Sequence, residues 1–190
     1  MLNTVKELRA KAVDAAFDQY RSTGDVSMRK VAVALGVTAP ALYHHFAAKD
    51  DLLNAVAERA FALFEKRLRP VDSREPRKVI RAILDEYRAF AIDEPFFFGL
   101  IFISPRPGAR RFPRDFADHR SAVFNRLWKG VEESIAASPD GHSDDALYIA
   151  HDVWALTHGQ ILLWRAGRFE DDGTFRRVLD RSIDRFLSTL

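Results

Sequence analysis

Cysteine is absent from the 190-residue chain. That excludes disulfide scaffolds and cysteine-held zinc or iron–sulfur centres, and nothing argues for secretion. Long apolar runs are absent too. The longest, Phe96 to Ile103, falls far short of the roughly 18 residues that a bilayer crossing needs. Charge and apolar residues are mixed from Lys6 onward, so no signal peptide and no membrane partner are expected, and the cytoplasm is the expected location. Strong charge of one sign is also missing, the net being +2. Its distribution is uneven: residues 1–69 hold 11 Lys/Arg against 8 Asp/Glu, and residues 70–190 hold 18 against 19. No acidic residue falls between Val26 and Lys49. A surface that touches phosphates needs such a gap, because each carboxylate would repel the backbone; a chance gap in an ordinary soluble domain stays open. Catalytic signatures are lacking as well. The chain has no Glu-x-x-His, His-Glu-x-x-His, Walker loop, dinucleotide fingerprint or Gly-x-Ser-x-Gly. His151 and His158 share a helix face, but no carboxylate completes a ligand shell. The chain is therefore expected to be no enzyme and to hold no metal or cofactor.

What is present is helical periodicity. Apolar residues make up 47% and charged residues 29%, the profile of a soluble globular protein. Val5, Leu8, Ala12, Val13, Ala16, Phe17 and Tyr20 mark the inner stripe of a first helix ended by Gly24. Ser27 caps a second helix that stops at Gly36. Thr38 caps a third, with Pro40 in its first turn, where a missing N–H is harmless. A fourth helix is predicted from Lys49 to about Leu68, closed by Pro70. After a polar break at residues 72–75 comes a fifth, then a short aromatic sixth from Pro95. The stretch from Ser104 to Pro113 reads as a loop. One helix with Phe116, Phe124, Trp128 and Ile135 is predicted next, then a loop at residues 138–143. An eighth helix runs from about Asp144 to Ala166, and a ninth carries Phe175 to Leu187. The fold class is all-α with about nine helices: an N-terminal three-helix segment, residues 1–48, and a helical bundle, residues 49–190, of which 49–69 is the connecting helix and covalent lever.

Two short helices on either side of Gly36-Val37 have helix-turn-helix spacing. The turn glycine admits a positive φ, and Val31, Val37 and Leu42 fix the angle between the helices. Ala39, Pro40, Tyr43 and His44 are then free to face a groove. On spacing alone, an ordinary pair of core helices remains open.

The run VSMRKVAVALGVTAPALYHHFAAKDDLLNAV, Val26 to Val56, resembles the DNA-binding segment of the TetR/AcrR regulators. The likeness lies in Gly36-Val37, Leu42-Tyr43, His45-Phe46, and Lys49 followed by an acidic pair and Leu52-Leu53. Ala15-Ala16, Tyr20 and Gly24 fit the same family. The resemblance implies a sequence-specific DNA-binding regulator, a repressor released from double-stranded operator DNA by a small molecule. Arg29 matches a position that reaches a base edge in some members, and Thr38 one that caps the recognition helix and donates to a phosphate. Ala39, Pro40 and Ala41 sit where base-facing side chains lie. Tyr43, His45 and Lys49 match phosphate contacts, while His44 falls where the family varies.

Toward the C-terminus, Trp154-Ala-Leu-Thr-His158-Gly159 resembles a Trp-x-x-x-His-Gly stretch of one subgroup. Aromatic residues concentrate between positions 87 and 164 and are candidates to line a pocket for an apolar or aromatic effector: Tyr87, Phe90, Phe98, Phe102, Phe124, Trp128 and Trp154, with His119 and His158 as polar anchors. Plain core packing is the alternative for each. The family likeness implies a homodimer through the last two helices, about 144–166 and 174–189, whose apolar faces are wide enough for a core side and a partner side.

Overall fold

A computed structural model describes residues 2–68, 75–137 and 145–190, with side chains from residue 6. Every regular element among them is helical. In order they are α1 (Leu2–Thr23), α2 (Met28–Ala34), α3 (Ala39–Tyr43), α4 (Lys49–Arg67), α5 (Pro76–Asp93), α6 (Pro95–Phe98) running into a π turn (Gly99–Ile103), α7 (Arg114–Ala117), α8 (Ala122–Ala136), α9 (Ala146–Arg165) and α10 (Asp172–Leu187). The expected terminator Pro70, most of the polar break at 72–75, the loop at 138–143 and the helix start at Asp144 lie outside the described residues.

The chain forms two compact units. Residues 1–66 and 92–109 make the first, and residues 67–91 and 110–190 the second. The backbone therefore passes between the units at three places, so α4 is not the sole covalent lever that the sequence suggested.

In the first unit, α1 buries Ala12, Ala16, Phe17 and Tyr20, the i, i+4 stripe of an amphipathic helix. Phe97 of α6 enters this stripe, 4.3 Å from Phe17 and 6.0 Å from Tyr20 between ring centroids. Glu94, just before α6 and only 6% exposed, is held by Arg21, whose Nε donates to Oε2 at 3.0 Å and whose Nη2 donates to Oε1. A buried carboxylate needs such a fork, because an unpaired one would be costly to desolvate. Phe102 of the π turn packs edge-on against Phe61 and Phe64 of α4, at 5.5 and 5.7 Å.

In the second unit, α5 contributes Ile80, Ile83, Leu84, Tyr87 and Phe90, and α10 contributes Phe175, Leu179 and Ile183 at helical spacing. Ion pairs tie these helices together: Arg88 to Asp180 at 2.7 Å and Arg81 to Asp184 at 3.1 Å. Gly130 of α8 lies against Ile80, where an added Cβ would come within 2.9 Å of Cγ1.

The single helix expected around Phe116–Ile135 is two. His119 takes a left-handed φ of 55°. Its N–H reaches Phe116 O at 3.0 Å, and Arg120 N–H reaches Asp115 O at 3.2 Å, the pair of bonds that ends a helix. Ser121 then caps α8 by accepting from Phe124 N–H at 3.4 Å. Among the described residues this division raises the count from nine helices to ten.

Candidate nucleic-acid interface

The acid-free stretch folds as α2, a tight turn and α3. Ser27 starts α2 by accepting from Lys30 N–H at 3.4 Å, and its own N–H donates to Gln19 Oε1 at 3.0 Å. The end of α2 is closed at Gly36, φ 66°. Gly36 N–H bonds to Val33 O at 3.1 Å and Val37 N–H to Ala32 O at 3.0 Å. That is a Schellman turn, which needs the left-handed residue that glycine supplies without a Cβ clash. Thr38 caps α3, its Oγ1 accepting from Ala41 N–H at 3.4 Å, and Pro40 sits in the first turn. The observed α3, Ala39–Tyr43, is one to two residues shorter than expected, ending before His44.

Val31 and Leu42 are buried and hold the two helices together, while Val37 is partly buried between them. The outward face carries Arg29 on α2, and Thr38, Pro40, Tyr43 and His44 on and beside α3, all exposed; Ala39, Ala41 and His45 are half-buried. Tyr43 is 51% exposed, so its ring is no core element. Ser27, Arg29, Lys30, Val33 and Ala34 line a surface groove of about 460 Å³. Lys49, at the start of α4, pairs with Asp25 at 2.6 Å. The Lys49 ammonium holds the Asp25 carboxyl below the ordinary carboxylate range. Two residues escaped the sequence reading. Asp25 lies just outside the acid-free window, and Lys30 adjoins Arg29; proximity to those features was the available signal.

The nine effector candidates divide between the two units. Phe98 and Phe102 belong to the first unit, 5.1 Å apart between ring centroids. The other seven belong to the second. Tyr87 and His158 meet directly, Oη to Nδ1 2.7 Å. Burial pushes the phenol pKa up and the imidazole pKa down. The two groups share one hydrogen bond, whose donor is set by the imidazole tautomer. Trp154 lies 6.0 Å from His158 and 6.2 Å from Phe124. Phe116 and His151, absent from the candidate set, complete the surroundings of Trp154 at 5.9 and 5.7 Å. His119 stands apart, exposed and stacked on Trp128 at 4.8 Å. Phe90 is fully buried, with the Arg67 guanidinium 5.6 Å from its ring centre. Gly159 meets nothing within 4 Å of an added Cβ, so packing inside the chain does not demand a glycine there.

Two family profiles match. "Bacterial regulatory proteins, tetR family" covers residues 14–56. "Tetracyclin repressor-like, C-terminal domain" covers residues 80–190, more than half of the chain. The chain belongs to the TetR family. TetR-family proteins are DNA-binding transcriptional regulators, and this chain is of that class. It is 28% identical over 191 residues to the HTH-type transcriptional regulator CymR of Pseudomonas putida, covering 94% of this chain and 88% of CymR. A protein of unknown function from Rhodococcus sp. RHA1 superposes with a TM-score of 0.74 at 26% identity, covering 96% of this chain and 95% of that one. BioQ, solved with its natural double-stranded DNA operator, shares the fold at a TM-score of 0.61 and 22% identity, covering 95% of this TetR-family chain and 98% of BioQ. Among the described residues, no helix is long and apolar enough to cross a membrane.

Proposed function

We propose that this chain is a cytoplasmic repressor that binds a double-stranded operator as a homodimer and is released by a small apolar or aromatic effector. One observation carries the reading: α2 and α3 meet at a glycine turn and present Arg29, Thr38, Pro40, Tyr43 and His44 from a stretch without a single carboxylate. Phosphates are anchored by Thr38, Tyr43, His45 and Lys49, and base edges are met by Arg29, Ala39, Pro40 and His44. Residues 1–48 read DNA, and residues 49–190 sense and dimerise, with 49–69 connecting them. Support for dimerisation comes from α9 and α10, which expose Tyr148, Leu156, Leu163 and Val178. Support for an effector comes from Tyr87, Phe124, Trp154 and His158, a largely aromatic group in which Tyr87 is hydrogen-bonded to His158; a ligand there would be a flat apolar molecule with one hydrogen-bonding group.

The test is linkage. An effector that releases DNA must bind the free protein more tightly than the operator complex, by the factor with which it weakens DNA binding, typically 5–150-fold. Titrating candidate aromatic compounds by tryptophan fluorescence, with and without operator, measures both. Equal affinity in the two titrations refutes effector release. Affinity for DNA that does not change with salt refutes the phosphate contacts.

A further inference from the structure

Base recognition in the major groove rests on a short chemical vocabulary. Arg or Lys reads guanine O6 and N7, Asn or Gln reads adenine N6 and N7, Asp or Glu accepts from cytosine N4, and small apolar groups touch the thymine 5-methyl. From Val26 to Lys49 this chain has no Asn, Gln, Asp or Glu. The carboxamide nearest upstream, Gln19, already accepts from the Ser27 N–H. The one hydroxyl at the start of α3, Thr38, already caps its own helix. In the first turn of α3 the groove-facing side chains are Ala39, Pro40 and Ala41, half-buried or exposed and without a hydrogen-bonding atom, while the exposed Tyr43 and His44 follow only at its end. Beside them on α2, Val33 is 73% exposed. The exposed cations are Arg29 and Lys30, both on α2, and no ion pair holds Arg29 among the described residues.

Resting on the DNA-binding reading above, we propose that the operator is read through thymine methyl groups by Ala39, Pro40 and Ala41, and through guanine by Arg29, with adenine entering only as the partner of thymine. Small side chains at the start of α3 let the helix approach the groove floor closely. There the 5-methyl group is what an apolar surface distinguishes. Arg29, unpartnered in the free protein, has no internal bond to surrender when it meets guanine.

Base analogues separate these contacts atom by atom. A duplex selected by the full-length protein from a random DNA library is the probe. Uracil in place of thymine removes only the methyl. At the thymines facing α3 each replacement should weaken binding about fourfold, the equivalent of one buried methyl-sized group. 7-Deazaguanine at the conserved guanine should cost roughly tenfold, half of a bidentate contact. That penalty should vanish for Arg29→Ala, whose substituted side chain is exposed and supports no fold contact. 7-Deazaadenine should be silent throughout. If uracil is silent at every thymine, or 7-deazaadenine is penalised as strongly as uracil, the methyl code is wrong although the protein binds DNA. If the guanine penalty persists in Arg29→Ala, Arg29 is not its reader. If no sequence is enriched from the library, the DNA-binding reading itself falls, and the code with it.

Discussion

Lys49, proposed above as a phosphate contact, is also held in a local ion pair. Its ammonium lies 2.6 Å from Asp25, so a phosphate must compete with, or share, that carboxylate. Both side chains are solvent-accessible, and exposed pairs of this kind contribute little to stability. The proposed phosphate contact of Lys49 is where the pair would be felt. Lys49→Ala should weaken binding to all sequences alike and lower the slope of log affinity against log salt by about one. Asp25→Asn should tighten binding on operator and random DNA together. Fluorescence anisotropy across a salt series checks both, and an operator-selective effect from either would contradict the assignment. Lys49 was singled out in the sequence because it falls in a dense motif. Asp25 was not, because an ion pair between residues 24 positions apart leaves no local periodicity. His158 gives a second prediction. Burial holds its imidazole below the ordinary value of 6.5. As pH falls the unfolded chain takes up the proton first, so the stability tied to a neutral His158 is complete above about pH 6.5 and is lost on descending through it toward the lower folded value. Urea midpoints should decline over that window, and His158→Gln should flatten the decline. An unchanged decline in the variant would show that His158 does not govern it.

For the helices, inner stripes and punctuation were readable wherever the signal was local. Ser27, Gly36, Thr38 and Gly24 all act where the sequence placed them. The break between α7 and α8 was missed because its left-handed residue is His119 rather than glycine. The side chain of Asp115, accepting from Arg111 N–H at 2.7 Å and Arg120 Nη1 at 2.9 Å, belongs to the same folded-back segment. The seating of α6 on α1 was invisible for another reason: Arg21 and Glu94 are 73 positions apart, and only tertiary packing joins them. The effector candidates were chosen by aromatic density alone, which cannot tell Phe102 packed on α4 from Trp154 beside His158. Contact between α5 and α8 depends on the missing side chain of Gly130. Gly130→Ala should destabilise by about 1–3 kcal/mol, since the new methyl meets Ile80 in a packed core. In an Ile80→Ala background the same change should be nearly neutral, a non-additivity that a double-mutant cycle in urea measures. Additive losses would place the strain elsewhere.

On the scale of the whole molecule, α9 and α10 leave Leu163 51% exposed and Val178 38% exposed beside a well-filled interior. In the homodimer proposed above these faces would be covered. Leu163→Glu should therefore yield a monomer of unchanged helicity that binds operator poorly, because one recognition helix in place of two halves the groove contacts. Sedimentation velocity of the wild type and variant at micromolar concentration decides the point. A wild type that sediments as a monomer would rule out this assembly, and a dimeric variant would move the interface to another face.

The residues around Glu94, Phe97 and Phe102 bear on how such proteins can be recombined. A segment from the middle of the chain, 92–109, belongs to the same compact body as residues 1–66. The N-terminal part is thus not a bead that can be cut from the string. A graft taken at residue 66 would leave Arg21 without its carboxylate and would strip the rings of Phe17, Phe61 and Phe64 of their cover. A peptide of residues 1–66 should melt without a cooperative transition by circular dichroism. Exchange of DNA specificity between relatives would then have to carry two pieces of sequence together, so reading head and middle segment are constrained to diverge as one inherited unit.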